Sequence, residues 1–137
     1  MTKAKAKKAA AAAAPAVARS VVKNASLSPF KGRVVADQIR GLRVSRALDI
    51  LRGSPRKAAH ILGKAVNSAI ANAEENHQAD VDALVIRRVE VSDGITLKRV
   101  RFGARGRVCR IKKRRSHILV TLADESVNED AAAKAEA

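Results

Sequence analysis

Aromatic residues are almost missing from this chain: there is no Trp, no Tyr and only two Phe, Phe30 and Phe102. Its core must therefore be aliphatic, packed from Ala, Val, Leu and Ile. A single cysteine, Cys109, excludes an internal disulfide and gives no sign of an oxidising compartment. The three histidines, His60, His77 and His117, are scattered, so no metal site is expected. Asp80 and Asp82 lie near Glu74 and Glu75, but the second half that two-metal or glycosidase chemistry needs is missing. A loop cap is the expected role of these acids. No phosphate-cradling loop, nucleophile elbow or dinucleotide fingerprint occurs. No catalytic residue and no cofactor is expected, and the chain reads as a non-enzyme. No apolar run approaches the roughly 18 residues of a membrane helix, so no membrane span is expected. The opening MTKAKAKKAAAAAAPAVA loosely mimics a signal peptide, but nearly pure alanine is too weakly hydrophobic for that role.

Acidic residues are also absent from one long stretch. Residues 94–123 hold ten bases and no acid, whereas residues 20–93 hold twelve bases and eight acids. The whole chain of 137 residues carries 28 Lys and Arg against 13 Asp and Glu, a net charge of +15. Its pI of 11.1 lies well above the value of about 9 that flags a nucleic-acid-binding domain. Such a chain repels itself when alone and calls for a polyanionic partner. The ends are low-complexity tails of opposite sign. Residues 1–16 are expected to be a disordered basic tail and 125–137 a disordered acidic one, because neither has much to bury. The folded unit is expected over 17–124.

Within that unit, β-branched residues over 17–27 predict a strand. Ser28-Pro29 predicts an N-cap with proline at the first helical position, and Gly41 a helix stop. Phe30, Val34, Val35 and Ile39 are expected to form the apolar stripe of that helix. A short helix over about 45–52, capped by Ser45 and stopped by Gly53, comes next. Ser54-Pro55 repeats the cap signal ahead of the longest helix, about 55–76. Ala58, Ile61, Leu62, Ala65, Val66, Ala69, Ile70 and Ala73 give it helical periodicity, and its many alanines let a partner element come close. From Leu84 the period changes to two. Asp93-Gly94 would ordinarily mark a turn, but the extended character of ITLKRVRF makes Gly94 a candidate bulge and GARG (103–106) the better turn. The result is a long hairpin over about 84–122. Only its base, through Val89, Val91, Ile118, Val120 and Leu122, is expected to reach the core. The fold class predicted is α+β: a small antiparallel sheet on three helices, with a long projecting basic β-hairpin.

The projecting part would carry Lys98, Arg99, Arg101, Arg105, Arg107, Arg110, Lys112, Lys113, Arg114 and Arg115. An isolated two-stranded hairpin is marginal in water, and ten like charges make it worse. Ordering inside a polyanion resolves that conflict, and arginine-rich segments that fold on RNA are a known device. Arginine suits the role, because its planar fork pairs phosphate bidentately and stacks on bases. GARG also matches the GxxG loop of KH domains, but that loop joins helices and this one joins extended segments. A DNA-bending β-arm with Phe102 as a wedge is the alternative, although no dimer seam is evident.

RVVADQIRG (33–41), VSRALDIL (44–51), NSAIANAEENHQAD (67–80) and VSDGITLKRVRFGARGRVCRIKKRRSHILVTLAD (91–124) resemble the L-twenty-two family of large-subunit ribosomal proteins, in its bacterial form. The resemblance covers about residues 17–124. It implies a structural constituent of the large subunit that binds and organises rRNA during assembly. It further implies a tunnel-lining hairpin tip at Arg101, Phe102, Gly103, Ala104, Arg105, Gly106 and Arg107. The rRNA-binding arm would extend through Arg115 to Ser116 and His117, and Lys31 and Arg33 match the family's RNA-facing helix start. Implied partners are large-subunit rRNA, neighbouring ribosomal proteins and the nascent peptide, with no homo-oligomer. Implied localisation is cytoplasmic and ribosome-bound, bacterial in preference to organellar. Two departures fall in the hairpin: Ile95 follows Gly94 where the family usually has proline, and Phe102-Gly103 replaces a common Pro-Arg pair.

Overall fold

A computed structural model describes residues 17–124. The two tails, and the disorder expected of them, lie outside the described residues. The chain runs through strand β1 (Val17–Ala25), helices α1 (Pro29–Ile39), α2 (Val44–Gly53) and α3 (Lys57–His77), and a 3-10 turn (Val81–Ala83). Strands β2 (Leu84–Asp93), β3 (Leu97–Phe102), β4 (Val108–Lys113) and β5 (Ser116–Asp124) follow. β1, β5 and β2 form an antiparallel sheet with β5 in the middle, and β3 and β4 pair separately. The class is the α+β one expected.

Helix starts and stops follow local chemistry in part. Pro29 occupies the first turn of α1, and Gly41 adopts a left-handed φ of 74° just past its end. That bend turns the chain against the sheet, where the Gly41 N–H donates to the Ile86 carbonyl at 2.8 Å. Two starts differ from expectation. α2 begins at Val44 with Arg43 at its cap, so Ser45 sits inside the first turn. α3 begins at Lys57 behind Arg56, not at Pro55. Ser54 is extended (φ −86°, ψ 123°) as the end of α2, as a residue preceding proline prefers. Asp80 caps the 3-10 turn by accepting from the Asp82 N–H at 3.3 Å. Of the acids there, Asp80 serves the loop as its cap.

α1 corrects the expected stripe. Its buried face is Gly32, Val35, Ala36 and Ile39, spaced i, i+3, i+4, i+7. Gly32 brings the helix close: a β-carbon there would meet Val91 Cγ1 at 3.0 Å and Leu27 Cδ2 at 3.2 Å. Rotating the helix about this contact leaves Phe30 74% exposed and Val34 37% exposed. The stripe of α3 is as predicted, with Ala58, Leu62, Ala65, Val66, Ala69 and Ala73 buried and Ile61 and Ile70 half-buried. Five of its alanines, counting Ala59, lie at 3% exposure or less, and α3 packs across β1 and β5.

β2 is not strictly alternating. Its register against β5 slips between Ile86 and Arg88. The bulge at Arg87 lets Ile86 share the core face with Val89 and Val91. Ile118, Val120 and Leu122 of β5 complete that face, all fully buried. Because β2 is an edge strand, its free carbonyls need partners. α1 and the residue capping its end supply two: Arg33 Nε donates to the Val91 carbonyl at 3.0 Å, and Arg40 donates to the Val89 carbonyl through Nε at 3.1 Å and Nη2 at 2.8 Å.

Candidate nucleic-acid interface

The acid-free segment leaves the sheet through a pinched junction. β2 ends at Asp93, β5 begins at Ser116, and the Gly94 N–H donates to the Arg115 carbonyl at 2.8 Å. Beyond it, β3 and β4 pair from Leu97↔Lys113 to Phe102↔Val108. The chain reverses at Gly103–Arg107, where the Gly103 N–H donates to the Arg107 carbonyl at 2.7 Å. Arg105 and Gly106 are both left-handed, at φ 57° and 71°. GARG is thus the turn and Asp93-Gly94 is not. Gly94 marks a break between two strand pairs.

Pairing sorts the arm into two faces. Lys98/Lys112, Val100/Arg110 and Phe102/Val108 lie opposite one another on one face, and Leu97/Lys113, Arg99/Ile111 and Arg101/Cys109 on the other. Lys98 facing Lys112 is a like-charge cross-strand pair, which destabilises a hairpin. Apart from half-buried Leu97, every residue of β3, the tip and β4 is exposed. Apolar side chains therefore contribute little there. Among them Val100, Phe102 and Val108 are 57%, 75% and 58% exposed. Nine bases, Lys98, Arg99, Arg101, Arg105, Arg107, Arg110, Lys112, Lys113 and Arg114, stand free to solvent with no carboxylate in their segment.

The root of the arm is different. Arg115 is half-buried and its Nη1 donates to the Asn24 carbonyl at 3.4 Å. His117 is half-buried, and its Nδ1 accepts from the Asn24 N–H at 3.2 Å. Ser116 is fully buried, and neither its Oγ nor Asn24 Oδ1 has a hydrogen-bond partner among the described residues. Ser116, expected on the RNA-contacting arm, is therefore a buried member of the junction. Arg33 is occupied with β2, through the Val91 carbonyl and through Asp93 at 3.8 Å. Lys31 is exposed on α1.

A concavity the sequence did not reveal lies beside Lys31. Leu27, Phe30, Lys31, Val34, Arg56, Lys57 and Ala58 line a groove of about 540 Å³ between the starts of α1 and α3. Phe30 was expected inside the core, which hid it. Among the described residues no cluster of three His, Cys, Asp or Glu side chains could hold a metal, and no helix is long and apolar enough to cross a membrane.

A small aliphatic base that presents an acid-free cationic arm defines a class: proteins that bind a polyanion by charge and shape. Within that class the match is specific. The family model described as ribosomal protein L22p/L17e matches residues 20–123, and the chain belongs to this family. It is a structural protein of the large ribosomal subunit that binds rRNA.

Proposed function

We propose that the β3–β4 arm threads into folded large-subunit rRNA, helps to organise it during assembly, and brings residues 101–107 to the wall of the nascent-peptide tunnel. The observation that carries this reading is the arm itself. Nine exposed bases, six on a two-stranded ladder and three at its turn and end, have no reason to stay ordered in water, and phosphates on both sides supply one. Lys98, Arg99, Arg101, Arg110, Lys112, Lys113 and Arg114 hold backbone phosphates, and Arg105 and Arg107 work at the tip. Arg115 and His117 brace the root against Asn24 and offer RNA only their exposed parts. Lys31 makes a contact on the base. Residues 17–124 act as one domain, ribosome-bound in the cytoplasm of a bacterium. A DNA-bending arm would also use Phe102, but membership of a ribosomal family weighs against it.

Two measurements test this. A photo-reactive residue at Ala104, incorporated into ribosomes stalled on a labelled nascent chain, is expected to cross-link both rRNA and peptide. Cross-links to rRNA alone would place the tip away from the tunnel. The full chain is also expected to prefer large-subunit rRNA over duplex DNA at matched salt, and equal affinity would revive the DNA reading.

A further inference from the structure

Both aromatic side chains of this protein stand outside an otherwise aliphatic core. Phe102 is on the arm. Phe30 is on the base, 74% exposed at the edge of the groove between α1 and α3. The groove has an apolar wall of Leu27, Phe30 and Val34 and a rim of three cations, Lys31, Arg56 and Lys57, with no carboxylate in its lining. The helices that start there add to its positive potential. Neither α1 nor α3 has a side-chain cap or an acidic residue in its first turn, so no side-chain charge offsets the positive ends of their dipoles. The groove also lies at the arm's end of the base. Leu27 follows Ala25 by two residues, and Ala25 pairs with Ser116 at the root of the arm.

We propose that this groove is a second RNA-docking site, in which an unpaired rRNA base stacks on Phe30 while its flanking phosphates are held by Lys31, Arg56 and Lys57. An aromatic face ringed by cations is what single-stranded nucleic acid recognises, since every base has a π-face and every linkage a phosphate. An apolar protein surface would cover Phe30 but leave three cations without acceptors. Continuity with the arm lets one rRNA segment span both sites. The inference rests on the rRNA-binding reading and extends its Lys31 contact to a stacking aromatic, Phe30, and two further cations, Arg56 and Lys57.

The test uses the full chain and a large-subunit rRNA transcript at several salt concentrations. Phe30→Leu keeps apolar bulk but loses the ring, and is expected to weaken binding by about 5- to 100-fold. Its slope of log affinity on log salt stays that of the parent protein, because stacking releases no counterion. Phe30→Tyr is expected to restore binding. Replacing Lys31, Arg56 and Lys57 together with Ala is expected to lower the salt slope by about 2 to 3. Parental affinity in Phe30→Leu overturns the proposal while leaving the arm's role standing. Parental affinity for the transcript combined with failure to enter assembled subunits also overturns it, and assigns the groove to a protein neighbour. If the unaltered chain does not bind the transcript, the rRNA reading itself fails.

Discussion

A β-carbon at residue 94 would lie 3.1 Å from the carbonyl carbon and oxygen of Arg115 and 3.2 Å from the nitrogen of Ser116. These are backbone atoms held by the sheet on one side and by the 2.8 Å Gly94–Arg115 hydrogen bond on the other, so they cannot swing aside. Gly94→Ala is expected to cost about 1–3 kcal/mol of stability by overpacking, read as a lower urea midpoint with an unchanged m-value. A midpoint within error of the parent would show that the junction yields. Glycine is needed here for close approach, a requirement the Asp93-Gly94 dipeptide does not advertise. Other residues were more deceptive. Phe30 looks like a core residue by helical phase and is surface. Arg33 looks like a free cation and clamps the β2 edge. Ser116 sits in a polar run and is buried. In each case a tertiary contact, to Val91, to the Val91 carbonyl or to the neighbouring strands, decides what local sequence cannot. Val89, Val91, Ile118, Val120 and Leu122 were legible because their alternation on the core face survives the Arg87 bulge.

At the scale of elements, the helices and the arm were readable from punctuation and period. Pro29, Gly41 and the alanine-rich stripe of α3 fix elements close to where they stand. The starts of α2 and α3 were less readable, since Ser45 and Ser54 carry capping chemistry at positions the chain does not use for it. The separation of the hairpin into a base pair, β2 and β5, and a distal pair, β3 and β4, follows from the tight junction at Gly94 and could not be seen in composition. It has an energetic consequence. The core is built without residues 97–111, nearly all of which are exposed. Deleting 97–111 is therefore expected to leave the base folded, with a thermal midpoint within a few degrees of the parent. A collapse of the midpoint would mean that the arm supports the core. RNA affinity should fall steeply in the same variant. The milder replacement of Arg105, Arg107 and Arg110 by Ala should reduce the salt slope by up to about 3, because each phosphate contact contributes about 0.7 to 0.9. An unchanged slope would mean that these three side chains do not touch phosphate.

Across the whole molecule, charge is segregated by what it has to do. Acids on the base find local partners: Asp37 with Arg40, Glu90 with Arg88, Asp93 with Arg33. The arm has no acid to offer its bases, so their neutralisation must come from outside. A protein of this kind is held to its RNA mostly by released counterions, and its binding must be steeply sensitive to salt. Six to ten phosphate contacts correspond to a loss of about 10³ to 10⁵ in affinity between 50 and 200 mM salt for the isolated chain. Once the arm is enclosed by folded rRNA, the same salt should release it far more slowly, because departure then requires the surrounding RNA to open. Sedimentation of a lysate at low magnesium separates these regimes. The protein is expected to travel stoichiometrically with the large subunit and to stay there through a salt wash that strips the free complex with an rRNA fragment. Loss at the same salt in both cases would describe a protein bound only at the subunit surface by its base. Retention in the subunit by the parent, with loss from the 97–111 deletion, would locate the hold in the arm.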